Sequence, residues 1–148
     1  MRIQRRALFR SVITAAAVLA IPRWLFAARP DAAFNAEDAT TAVNDLFGGS
    51  VTESDQVILK IPDIAENGAV VPVTVSTELP DVEAIGVIVA NNPTPLAALF
   101  ELSPQSVAEI SVRIKMGESS PVQAIVRAGG KLYSATKEVK VTIGGCGG

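Results

Sequence analysis

The 148-residue chain contains no histidine, and Cys146 is its only thiol. These two scarcities exclude a good deal of chemistry. Without histidine there is no Ser–His or Cys–His pair, so nucleophile activation of the protease kind has no base to use. Zinc and copper sites need imidazole or several thiolates, and a lone cysteine with scattered carboxylates serves them badly, so no metal is expected. One cysteine cannot close a disulfide within its own chain. Aromatics make up 5% of the residues, and the glycines sit in turns or in the tail rather than in a phosphate-binding loop. The residues of an autonomous enzyme are mostly missing, and no dissociable cofactor is expected.

Positive charge is also scarce beyond the first residues. Five basic residues, Arg2, Arg5, Arg6, Arg10 and Arg23, lie before Arg29, whereas all 15 Asp and Glu lie after it. Eight of the 13 Lys and Arg remain from Arg29 onward, a net charge of −7 for that part. An acidic domain with few aromatics has no electrostatic footprint for nucleic acid or for an anionic membrane.

The basic start is followed by the apolar run Ser11 to Ile21, which Pro22 and Arg23 end. That order is an export signal, and the run is too short to span a bilayer comfortably. The pair Arg5-Arg6 before it matches a twin-arginine signal, whose route carries folded proteins. No cysteine follows the run, so no lipid anchor is expected there. Cleavage near Ala27 or Ala28 divides the chain into a signal peptide, 1–28, a domain, 29–143, and a tail, 144–148. The domain, of about 115 residues, is long enough for one core.

Within the domain, Asp38 to Phe47 is expected to form one short helix, capped by Asn35 and ended by Gly48-Gly49. From Val57 the apolar period becomes two. Val57, Leu59 and Ile61 share a face, and Val71, Val73 and Val75 another, with the turn signal Asn67-Gly68 between them. Ile85, Val87 and Val89 continue the pattern until Asn91-Asn92-Pro93 breaks it. Val107 to Met116 alternates most clearly, its Ile110, Val112 and Ile114 separated by Ser111 and Arg113. Val122, Ala124 and Val126 follow, then a tight turn at Gly129-Gly130 and a last strand from Leu132 to Ile143. With Leu96 to Leu102 as a further strand there are seven, the pattern of an all-β, immunoglobulin-like antiparallel β-sandwich. The Cys…Trp…Cys core of antibody domains is absent, so the likeness is architectural. Pro72 points to an edge strand, where a missing N–H does no harm.

The last strand leads into Gly144-Gly145-Cys146-Gly147-Gly148. Four flanking glycines offer nothing to bury a thiol against and leave the backbone free, which argues against a packed cysteine. An accessible thiol, an intermolecular disulfide or a covalent attachment point remain. Three residues beyond Ile143 place the thiol about 10 Å from the body, on a tip slim enough to enter a cleft.

At this point the chain resembles the SoxY family, the cysteine-bearing subunit of the SoxYZ sulfur carrier. The tail carries the likeness, together with the block Ile64-Ala65-Glu66-Asn67-Gly68-Ala69-Val70-Val71-Pro72-Val73 and the exported acidic sandwich. The resemblance implies a periplasmic role in thiosulfate oxidation, with Cys146 the sulfur attachment site and Gly144, Gly145, Gly147 and Gly148 a swinging arm. It implies a SoxZ subunit, lacking its own export signal, as heterodimer partner. It further implies three acting enzymes: a Sox cytochrome, a sulfate-releasing hydrolase and a sulfane dehydrogenase. Leu96 to Leu102, apolar on both faces, is either a patch for that subunit or an ordinary core strand.

Two other readings compete. A β-sandwich assembly module would use Cys146 for an intermolecular disulfide. A ubiquitin-like carrier would activate the terminal Gly147-Gly148 as a thiocarboxylate, but an exported chain meets no ATP. Replacing Arg5 and Arg6 with lysine is expected to hold both this chain and its partner subunit in the cytoplasm. Immunoblots of fractionated cells check this, and a partner that still reached the periplasm would rule out joint export.

Overall fold

The computed structural model describes residues 30–142. The expected leader with Arg5 and Arg6, the last strand residue Ile143, and Gly144, Gly145, Cys146, Gly147 and Gly148 lie outside the described residues.

Two helices come first, α1 (Asp31–Phe34) and α2 (Ala39–Phe47). The expected single helix is α2, but its cap is Asp38 rather than Asn35. The Asp38 carboxylate accepts the Thr41 backbone N–H at 2.8 Å and the Thr41 hydroxyl at 2.6 Å. These bonds, the hydroxyl's foremost, hold the Asp38 carboxyl below its ordinary value. Asn35 instead ends α1. α1 carries no signal of its own in the sequence, and the cap of α2 is not legible there because capping chemistry at Asn35 and Asp38 is equivalent in kind. Gly48 closes α2 in the left-handed conformation, as the sequence predicts.

Nine strands follow among the described residues: β1 (Val51–Glu53), β2 (Val57–Lys60), β3 (Ile64–Ala65), β4 (Val71–Thr77), β5 (Val82–Val89), β6 (Leu96–Glu101), β7 (Glu109–Ile114), β8 (Ser120–Ala128) and β9 (Lys131–Val141). They form two sheets, β1-β9-β8-β5-β6 with β3 also on β9, and β2-β4-β7. The β-sandwich stands as expected, with two strands more than the seven counted. Those two, β1 and β3, pair with β9 in parallel. They have three and two residues, too few to show a period of two.

The space between the sheets is filled by the alternating residues read from the sequence. Val71, Val73 and Val75 of β4 meet Ile85, Val87 and Val89 of β5 and Val122, Ala124 and Val126 of β8 in one cluster. The hairpin between β8 and β9 turns on Gly129 and Gly130, at φ of +54° and +71°. Two successive left-handed residues are what a two-residue turn with the twist of flanking strands requires.

The second face of the large sheet is buried too. Ile88, Leu96 and Ile125 pack against Ala33, Ala36, Ala42 and Val43, so α1 and α2 form a third layer. The unbroken apolar run Ile85 to Val89 is the sequence mark of such two-sided burial. Where Phe47 lies across β5, a Cβ on Gly86 would stand 3.4 Å from its ring, so glycine there admits the aromatic.

Pro72 is a correction. It lies in β4, the central strand of the small sheet, not at an edge. The register explains why proline is tolerated: β2 pairs with β4 from Thr77 only as far as Thr74, opposite Lys60. At Pro72, paired with Arg113 alone, β4 is locally an edge. Two boundaries also move. The clearest strand starts at Glu109, since Val107 is 82% exposed. The last starts at Lys131.

Replacing Ile125 with alanine tests the third layer. Ile125 is fully buried against the helices, so the change is expected to cost about 2–5 kcal/mol, read from denaturant unfolding. A cost below about 1 kcal/mol, the range of exposed positions, would mean that the helices cover no true core.

Candidate functional site

The described structure reaches within four residues of Cys146, and what it shows is how the tail is mounted. β9 is the longest strand, 11 residues, and its neighbours change along its length. β8 pairs with it from Lys131 to Val139, where Ser120 begins β8. On the other flank β1 covers Leu132 to Ser134 and β3 covers Lys140 and Val141.

β3 arises because the chain leaves the small sheet after β2 and crosses to the large one. Pro62 ends any continuation of β2, and Ile61, 7% exposed, seals the crossing. Ala65, also buried, faces inward while Ile64 is left outside. Asn67 then turns the chain, its side-chain oxygen accepting the Ala69 N–H at 2.9 Å. Gly68 adopts no left-handed conformation. The Asn67-Gly68 signal is thus a side-chain-stabilised turn after β3, not a two-residue hairpin between β2 and β4. The Gly68 carbonyl accepts the Met116 N–H at 2.7 Å, and the chain re-enters the small sheet as β4.

The start of the block Ile64–Val73 therefore lies beside the end of β9. Asp63 O accepts the Lys140 N–H at 2.9 Å and Ala65 O accepts the Thr142 N–H at 3.1 Å. Val141, between them, donates its N–H to Ser119 Oγ at 2.9 Å. Upstream, Lys137 Nζ donates to Ile61 O at 2.9 Å and lies 2.8 Å from Asp63 Oδ1. That ion pair is exposed, and alone would contribute little. Its carbonyl bond makes it a staple across two segments 76 residues apart. The Thr142 hydroxyl approaches Glu66 O at 3.4 Å.

The first residues of the internal block thus flank the last described residues of β9. The hydroxyls there, on Ser119 and Thr142, both meet backbone groups. Among the described residues no cluster of three or more His, Cys, Asp or Glu side chains could hold a metal, and no helix is long and apolar enough to cross a membrane. Cys146 and its flanking glycines lie outside the described residues. Sequence reasoning missed Ser119 and β3, since neither a lone serine in a loop nor a two-residue strand has a pattern.

The patch considered for a partner, Leu96 to Leu102, contains β6, the terminal strand of the large sheet. Leu96 is buried toward the helices, and Ala97 to Phe100 are half-buried. It lies away from the end of β9, with β5 and β8 between them.

The comparisons agree with this arrangement. A family model described as sulfur oxidation protein SoxY matches residues 43–146, from α2 through the tail cysteine. The solved structure of the sulfur carrier protein SoxY from Chlorobium limicola f thiosulfatophilum is 41% identical, with a TM-score of 0.65 over 72% of this chain and 97% of that one. A superoxide reductase (neelaredoxin) from Ignicoccus hospitalis shares the fold at 18% identity, with a TM-score of 0.57 over 64% of this chain and 98% of that one. No curated protein matches the chain.

Proposed function

The chain belongs to the SoxY family of sulfur oxidation proteins, and we propose that it holds thiosulfate-derived sulfur covalently on Cys146 and presents it to separate enzymes. The observation that carries this reading is the position of Cys146 four residues beyond Thr142, the last described residue, whose backbone N–H is held by the Ala65 carbonyl. Four residues span at most about 14 Å, and the two glycines on each side of the thiol add no bulk to the tip. A thiol on such an arm is suited to entering another protein's cleft.

The chemistry of loading fits a thiol without local activation. Lys140 is the nearest cation in sequence, and an exposed thiol with a pKa of about 8.5 is only partly ionised at neutral pH. In the proposed first step the Cys146 thiolate and thiosulfate join through a new S–S bond, giving Cys–S–S–SO3⁻. The two electrons released pass to the Sox cytochrome. The hydrolase then adds water across the terminal S–S bond, releasing sulfate and two protons and leaving Cys–S–S⁻. A sulfane dehydrogenase would oxidise the sulfur that remains. A carrier that waits for its partners to activate the thiol is less exposed to stray oxidation in an oxidising compartment.

We place the protein in the periplasm, exported folded by the twin-arginine route with SoxZ as its bound subunit. The support is the Arg5-Arg6 leader, the acidic domain that follows it, and a rigid three-layer body able to fold before transport.

Two predictions test the reading. Cys146→Ser is expected to abolish thiosulfate oxidation in a reconstituted assay while leaving the unfolding midpoint unchanged. Retained activity would remove Cys146 as the attachment site. Gly145→Val and Gly147→Val keep the thiol but crowd its approach and disfavour positive φ. Stability should change by less than about 0.5 kcal/mol, as at exposed sites, and alkylation of Cys146 by a small reagent should be unaffected. Turnover by the partner enzymes should fall by an order of magnitude or more; unchanged turnover would make the glycines mere slack.

A further inference from the structure

A strand that outruns its neighbour leaves alternate N–H groups facing water, and such an end frays. β9 outruns β8 at Val139, yet each of its next three amides has a partner. Those of Lys140 and Thr142 point to one side, where Asp63 and Ala65 supply carbonyls. That of Val141 points to the opposite side, where β8 has not yet begun, and the Ser119 hydroxyl stands in for the missing strand. Lys137 ties the crossing segment to β9 further back, through Ile61 O and Asp63. Ser119 stands just before β8, and Lys137, on β9 itself, reaches across to the crossing segment.

We propose that Ser119 and Lys137 are positioning residues that fix the root of the carrier arm at Thr142 and so set its working length. The inference rests on the carrier reading above. With the root at Thr142, Cys146 lies within about 14 Å of it. With the clamp open, the root moves back to Val139, and seven residues, at most about 25 Å, separate it from the thiol. Effective concentration at a cleft falls at least as the −3/2 power of tether length, so lengthening the stretch from root to thiol from four residues to seven lowers it about two- to fivefold. The residues touch no sulfur; they act through the backbone of β9.

The test uses the full carrier with its partner subunit, comparing wild type, Ser119→Ala/Lys137→Met and the conservative Ser119→Thr/Lys137→Arg. Each is loaded with tetrathionate, whose inner sulfur the Cys146 thiolate attacks with release of thiosulfate, leaving Cys–S–S–SO3⁻. Sulfate release by the partner hydrolase is then followed, beside hydrogen exchange at the Val141 amide and alkylation of the unloaded thiol. In the alanine/methionine variant, Val141 exchange should rise several-fold and kcat/KM for sulfate release fall about two- to fivefold, with alkylation unchanged. The threonine/arginine variant should restore both values. Faster exchange with undiminished kcat/KM, or exchange that does not change, would overturn the positioning role while leaving the carrier reading intact. Wild-type protein that takes up no load on Cys146, or whose load the hydrolase ignores, would overturn the carrier reading and the positioning role with it.

Discussion

The hydrogen bonding of one strand end organises this molecule. β9 runs the length of the large sheet, and past Val139 the amides of Lys140 and Thr142 stay paired because the chain between β2 and β4 detours to meet them. That detour costs the small sheet a tight hairpin and leaves β4 without its β2 neighbour at Pro72. The proline in a central strand, the two-residue parallel β3 and the turn at Asn67 are consequences of the same crossing. The last described amides of β9 are held on both sides, and the glycine-rich sequence follows directly after them.

The body itself is built to be independent of the tail. Its core has two compartments, one between the sheets and one beneath the helices, and the large sheet is buried on both faces where β5 and β8 run. Surface ion pairing contributes little to it. Arg127 Nε lies 2.9 Å from Glu83 Oε2 without its N–H aimed at the carboxylate, and its guanidinium also lies over the Phe47 ring. Cohesion therefore comes from apolar burial, and nothing in the core depends on a thiol or a metal.

Much of this was legible in the residues. Valine and isoleucine alternating with more polar residues mark β4 and β7, because a strand buried on one face carries a local pattern of period two. Gly129-Gly130 announced its hairpin because only glycine takes two successive left-handed conformations without strain. Cys146 stood out because nothing around it could bury it. What stayed hidden was non-local. β1 and β3 are defined by their parallel partners on β9, not by their own composition. Asp38 outcompeted Asn35 as a cap through a second bond, from the Thr41 hydroxyl. The α1–α2 layer was invisible because alanines pack as readily as they lie exposed. Ser119 shows no signal at all, since its role exists only where β8 begins two residues too late to pair with Val141.

The central claim is that Cys146 is a covalent carrier, and intact-protein mass spectrometry tests it most directly. Protein purified without reductant from cells growing on thiosulfate should carry added masses of sulfur, sulfite or thiosulfate, confined to the peptide that contains Cys146 and lost on reduction. An unmodified thiol, a disulfide-linked pair of chains as the sole product, or adducts found only elsewhere in the chain would contradict it.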